Sequence, residues 1–206
     1  MEGLGLVLWG LGLLFFSGLP ASLLPLGPTA GQRLTVSLLL TGSLLGILGT
    51  GWSWCGTEIS VLSLPWCLPW GSFTVAVDAL SAFFLSLIFT IAALGSVYSL
   101  SYWKQIEHPE NGKKLGIFYG LLAGSMALVV IARDGVLFLL VWEVMAVSAY
   151  FAATIEDDLL EVRQAGWIYL VATHVGTLLL IAMFALWHQV TGSFSLLAAP
   201  ATVPLS

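Results

Sequence analysis

The sequence predicts an all-α polytopic membrane protein with about six transmembrane helices and both termini outside. Two observations predict the class. The chain is 59% hydrophobic and only 8% charged, with a mean hydropathy of +1.01, which no soluble domain of this size matches. Its charges are also clumped, leaving stretches long enough to cross a hydrocarbon layer of about 30 Å, which takes roughly 20 helical residues. A third observation gives the orientation. With an even number of crossings, one side collects Arg33, Lys104, Lys113, Lys114 and Arg163, and the other only Arg133. The basic-rich side reads as cytoplasmic. The net charge of −5 and the scarcity of basic residues exclude a nucleic-acid partner.

The whole chain, 1–206, reads as a single membrane domain. The first span, about 4–24, has the apolarity of a signal peptide but no basic leading region, so it is expected to be a retained helix. The second, about 34–52, carries Gly42 and Gly46, a spacing that permits close helix contact. An external loop, 53–78, follows. Within it EISVLSL (58–64) and FTVAVD (73–78) predict a short, irregular hairpin interrupted by Pro65 and Pro69. Trp52, Trp54, Trp66 and Trp70 form either an interfacial aromatic belt or a docking patch. Cys55 and Cys67 lie in the same segment and could form a disulfide if it faces an oxidising compartment. Metal binding is disfavoured there, because two thiolates without a nearby histidine are too few ligands.

Asp78 precedes the third span, about 79–100, where it suits a helix N-terminus or an ion entry. A basic loop, 101–114, leads to the fourth span, about 115–132, with Gly120 and Gly124. The Arg133–Asp134 turn is too short for anything but antiparallel neighbours, so the fifth span, about 135–154, packs beside the fourth. An acidic segment, 155–165, precedes the sixth span, about 166–188, and an uncharged tail, 189–206, is too broken by Pro, Gly and Ser for a seventh.

The fifth span holds the most informative residue. Glu143 stands near the middle of GVLFLLVWEVMAVSAYFAAT (135–154), with no other charge in the run. A carboxylate at that depth costs at least a few kcal/mol unless protonated, paired or wetted. Apolar surroundings disfavour its ionised form, which makes it a candidate proton switch. The alternative is a Glu that only hydrogen-bonds between helices. Tyr150 shares its face two turns on. His174, within YLVATHVGTLLL (169–180), is the second candidate, either as a relay or as a hydrogen-bonded packing residue. His188 is expected at the interface and His108 in the basic loop. His174 and His188 lie on one helix and cannot clamp a haem between them, so an electron-carrying cytochrome is disfavoured. The sequence has no serine-hydrolase, zinc-protease or phosphate-loop motif, and no cofactor is expected.

Four stretches resemble a known family. FLLVWEVMAVSAYFAAT (138–154) resembles the fifth helix of the proton-pumping, antiporter-like subunits of respiratory complex I, a family that includes Mrp antiporter subunits and the large membrane subunit of hydrogenase-4 and formate hydrogenlyase. VDALSAFFLSLI (77–88) and VIARDGVLFLLVWE (130–143) are similar to its third helix and its turn between helices four and five. AGWIYLVATHVGTLLL (165–180) looks most like the hydrogenase-4 branch.

The resemblance implies a subunit translocating H+ or Na+ in the cell's inner (plasma) membrane, with Glu143 at the family's helix-five glutamate. It implies other membrane and peripheral subunits as partners, alongside the lipid bilayer, and redox chemistry carried by those partners rather than by this chain. In the family the glutamate pairs with a lysine on the seventh helix, and no span of this chain contains a lysine. The expectation is therefore an N-terminal portion of such a subunit. The rival is a non-conducting scaffold.

Overall fold

Pro20 interrupts what the sequence offers as one continuous first span. Helix α1 covers Glu2–Phe16 and a short α2 covers Leu19–Leu23. Proline has no N–H to give the preceding turn and its ring crowds the carbonyl four residues back. The chain breaks at Ser17–Gly18 instead, where the Ser17 hydroxyl donates to the Leu14 carbonyl at 2.8 Å. Helix α3 begins earlier than the hydropathy indicates and spans Pro28–Cys55, because Pro28 suits a first helical turn, where its missing N–H costs nothing. The remaining long helices are α4 (Ala79–Tyr102), α5 (Asn111–Ile131), α6 (Gly135–Ala153) and α7 (Leu160–Thr191). This computed structural model describes residues 2–56, 60–66, 68, 70–108 and 111–197.

Counting α1 and α2 as one crossing, six helical segments among the described residues are long and apolar enough to cross a membrane. Helix α7 is longer than its hydropathic span at both ends. At 32 residues it extends roughly 48 Å, more than a hydrocarbon layer, so it tilts or protrudes. It stops at Gly192, whose φ of 71° is left-handed and whose N–H donates to the His188 carbonyl.

Helices α1, α3, α4 and α5 form the packed centre, with α6 against α5 and α7 outermost on α6. Glycines set the closest approaches. A side chain at Gly10 of α1 would strike Gly42 and Gly46 of α3, and one at Gly49 would strike Gly3 and Val7. On the other side of α1, Gly120 and Gly124 of α5 lie against Leu14, Phe15 and Ser17. Both glycine pairs seen in the sequence therefore seat α1, and the Phe89 ring covers Gly46 from α4. With lipid as solvent, this intimate packing rather than the hydrophobic effect drives helix association.

The segment between α3 and α4 pairs more regularly than its prolines imply. Strands β1 (Ser60–Leu64) and β2 (Phe73–Val77) run antiparallel over five positions, from Ser60 opposite Val77 to Leu64 opposite Phe73. Strand β2 is largely buried, and the Arg133 N–H donates to its Thr74 carbonyl at 2.8 Å. The tail joins the same end, where the Gly135 N–H donates to the Phe194 carbonyl and the Leu196 N–H to the Arg133 carbonyl. Cys55 is exposed at the end of α3, while Cys67, and with it the disulfide expectation, lies outside the described residues.

Replacing Gly10 by Ala forces a methyl group into the α3 backbone, whereas Gly12 faces open space. Gly10→Ala is expected to lower stability by about 1–3 kcal/mol, the usual cost of overpacking. Gly12→Ala is expected to be neutral or slightly stabilising. Thermal unfolding of the two variants in detergent compares them directly.

Candidate functional site

Helix α6 is fixed at its first turn by Asp134, which is 3% exposed. Its carboxylate accepts from the Val136 and Leu137 N–H groups of α6 and from the Ser72 N–H and hydroxyl of the preceding loop. Midway along the helix, Glu143 points at α7. Its Oε2 lies 3.7 Å from His174 Nε2. That is ion-pair range and longer than a good hydrogen bond. The structure thus brings together two residues that the sequence singled out separately. Glu143 is about one-third exposed and His174 about half. The other carboxylate oxygen, Oε1, is buried without a hydrogen-bond partner among the described residues.

The His174 tautomer follows from its second contact. Nδ1 sits 2.8 Å from the Leu170 carbonyl oxygen, which can only accept, so Nδ1 carries the proton. In the neutral ring Nε2 is then a lone-pair acceptor facing Glu143. Two bare acceptors would face each other if the carboxyl were also deprotonated. One proton between them removes the conflict, either on Glu143 or as an imidazolium–carboxylate pair.

Tyr150 stands apart from this pair. It lies seven residues along α6, a rise of about 10 Å, where its ring covers Gly166 of α7 and meets Phe151 edge-on. It lines a crevice with Lys114, Thr154 and Arg163 at the basic end of the bundle. Thr177, one turn from His174, is buried and donates to the Thr173 carbonyl. His108 stacks on Trp103, and His188 on Phe194. Among the described residues no group of His, Cys, Asp and Glu side chains is placed to hold a metal ion.

At the opposite end from the basic loops, Asp78 caps α4 through the Ser81 N–H at 2.7 Å. Arg133 Nη2 donates to Asp78 Oδ2 at 3.0 Å and to Ser81 Oγ at 2.8 Å. Partial burial pushes the Asp78 carboxyl up, but the Ser81 hydrogen bonds and the Arg133 guanidinium outweigh it and hold the group below its ordinary value. The sequence offered Asp78 and Arg133 as separate end-of-span charges. Their pairing across 55 residues, and the burial of Asp134, carried no local signal.

The fold and this site define an all-α polytopic membrane protein with a facing carboxylate and imidazole on α6 and α7. No protein-family model matches the chain. It is 28% identical over 197 residues to hydrogenase-4 component B of Escherichia coli, covering 94% of this chain. It is 29% identical over 166 residues to an uncharacterised protein of Mycobacterium tuberculosis, covering 81% of this chain. The chain spans about a quarter of the length of these relatives (28% and 25%). Its fold matches a chain of the membrane-bound sulfane sulfur reductase, an archaeal respiratory membrane complex, with a TM-score of 0.71 at 18% identity, covering 94% of this chain and 38% of that one. The chain is thus similar in sequence to hydrogenase-4 component B and in fold to a subunit of a respiratory membrane complex, in line with the antiporter-like membrane subunits that the sequence resembles.

Because Asp78 is held below its ordinary value of 3.8, its contribution to stability is complete above that pH. It is lost as pH falls through the lower folded-state value. Arg133→Met removes the guanidinium, so thermal unfolding followed from pH 6 down to pH 3 is expected to show a smaller acid-induced drop than the wild type.

Proposed function

We propose that this chain is part of an ion-translocating membrane subunit of a respiratory or membrane-bound hydrogenase complex, with Glu143 as its protonatable switch and His174 as the adjoining relay. The complex would be a complex I-like NADH:quinone oxidoreductase or a hydrogenase of the hydrogenase-4 or formate hydrogenlyase kind, in the inner (plasma) membrane. Other membrane and peripheral subunits would carry the electrons. The observation that carries the reading is the facing of Glu143 and His174 halfway along helices built to span a bilayer.

The chemistry needs few steps. A proton arriving at Glu143 neutralises the carboxylate. Transfer to His174 Nε2 leaves a carboxylate beside an imidazolium, two opposite charges that lower each other's cost in a poorly solvated setting. The 3.7 Å gap closes by a small side-chain movement or through one bridging water. Loss of the proton from His174 to the next acceptor resets the pair. Nδ1 stays bonded to the Leu170 carbonyl throughout, which keeps Nε2 aimed at Glu143. Tyr150 is assigned a position on the route from the basic end, where its crevice opens. The transported ion is H+ in this scheme, and Na+ would use the same carboxylate without the imidazole.

Glu143→Gln keeps the shape of the side chain and removes its proton exchange. In the assembled complex in sealed vesicles, it is expected to cut ion pumping at least about ten-fold while subunit assembly stays normal, in keeping with the two to four orders of magnitude typical of a positioned acid–base group. His174→Gln is expected to give a smaller loss. Unchanged pumping with normal assembly would reject the switch and leave the scaffold reading.

A further inference from the structure

A crevice of about 390 Å³ opens between the basic ends of α3, α4 and α5, within the size range of small-molecule sites. Its walls are mainly apolar, with Val36 and Leu39 from α3, Tyr98 from α4 and Tyr119 from α5. It follows the helices for about two turns, from Gln32 to Leu39 on one side and Trp103 to Gly95 on the other.

Two of the polar residues beside it are already paired. Gln32 donates to the Ser99 and Trp103 carbonyls and accepts from the Gln105 N–H, and the Tyr119 hydroxyl donates to the Ala92 carbonyl. Two buried donors are unpartnered among the described residues. Gln105, 3% exposed, has its Nε2 buried with no partner, as does the Trp103 Nε1. Lys113 is the one charged side chain among the described residues lining the crevice. A matching ligand has an apolar body and an anionic, acceptor-rich head.

The position identifies the source. Tyr98 and Tyr102, which line the crevice, are 62% and 70% exposed on the outer face of α4. Exposed tyrosines near the end of a membrane-spanning helix suit contact with the lipid interface. Arg33 and Lys114 stand at the same end, together with the acidic Glu107, Glu156, Asp157 and Asp158, so the preference for an anionic headgroup rests on Lys113 inside the crevice. We propose that this crevice binds one anionic phospholipid, its acyl chain along Val36 and Leu39 and its phosphate at Lys113. Free phosphate leaves the apolar walls unused, and a zwitterionic lipid leaves Lys113 uncompensated. The site is separate from the Glu143–His174 pair and does not rest on the ion-translocation reading.

Native mass spectrometry of the full chain, with phosphatidylglycerol and phosphatidylcholine added in equal amounts, tests the site. The wild type is expected to retain one phosphatidylglycerol in preference. Lys113→Gln is expected to lower that preference about five-fold, the contribution of one lysine near an anionic headgroup. Ser99→Phe, which places a ring at the crevice wall, is expected to abolish retention of both lipids. Lys104→Gln, whose ammonium pairs with Glu107 at 3.3 Å, is expected to behave as wild type. Equal retention of the two lipids by the wild type overturns the proposal, as does indifference to both Lys113→Gln and Ser99→Phe. Failure of the wild type to retain any lipid also overturns it, and assigns the crevice to another protein segment.

Discussion

We propose that Glu143 lies at lipid depth, where a carboxyl group must be neutral, paired or wet, and the structure places one partner beside it, His174. That partner comes from α7, the outermost helix, which packs on α6. The register between the two helices is held at both ends. Gly166 lets Tyr150 and Thr154 close over one end, and Gly135 receives the Phe184 ring at the other. Between these contacts His174 stands opposite Glu143. The facing of this acid and base thus goes with two close helix approaches at glycines, Gly135 and Gly166.

The rest of the molecule fixes α6 so that α7 has something to register against. Asp134 ties the first turn of α6 to the loop before β2, and Arg133 ties the same turn to Asp78 at the start of α4. Helix α5 in turn lies on α1, which is seated between glycines of α3 and α5. The half-buried Asp78–Arg133 pair is not a large source of stability by itself, because desolvation offsets much of its Coulomb attraction. Its use is geometric. One residue of slip in the α5–α6 turn would rotate Glu143 by about 100° and take it away from α7.

The class, the number of crossings and the glycine contacts were legible in the sequence, because each has a one-dimensional signature: hydropathy over about 20 residues, or small residues at helical spacing. Glu143 and His174 were legible as residues for the same reason, since a charge within a charge-free run stands out. Their pairing was not, since it depends on the rotation of α7 against α6, and α7 is apolar around most of its circumference. The break at Pro20 and the early start of α3 at Pro28 follow from proline chemistry that hydropathy averages away. The Asp78–Arg133 contact and the burial of Asp134 were hidden by distance along the chain. The regular pairing of β1 with β2 was obscured by Pro65 and the turn residues that separate the strands.

The depth of position 143 is the measurement that bears most directly on this account. A nitroxide placed at Glu143→Cys in bilayers reports collision rates with oxygen, which concentrates in hydrocarbon, and with a water-soluble nickel chelate. The account predicts frequent oxygen collisions and strong shielding from nickel, as for a site near the bilayer midplane. Ready access of the nickel reagent, at the rate found for a residue in the acidic 155–160 segment, would place the side chain at the aqueous surface and contradict it.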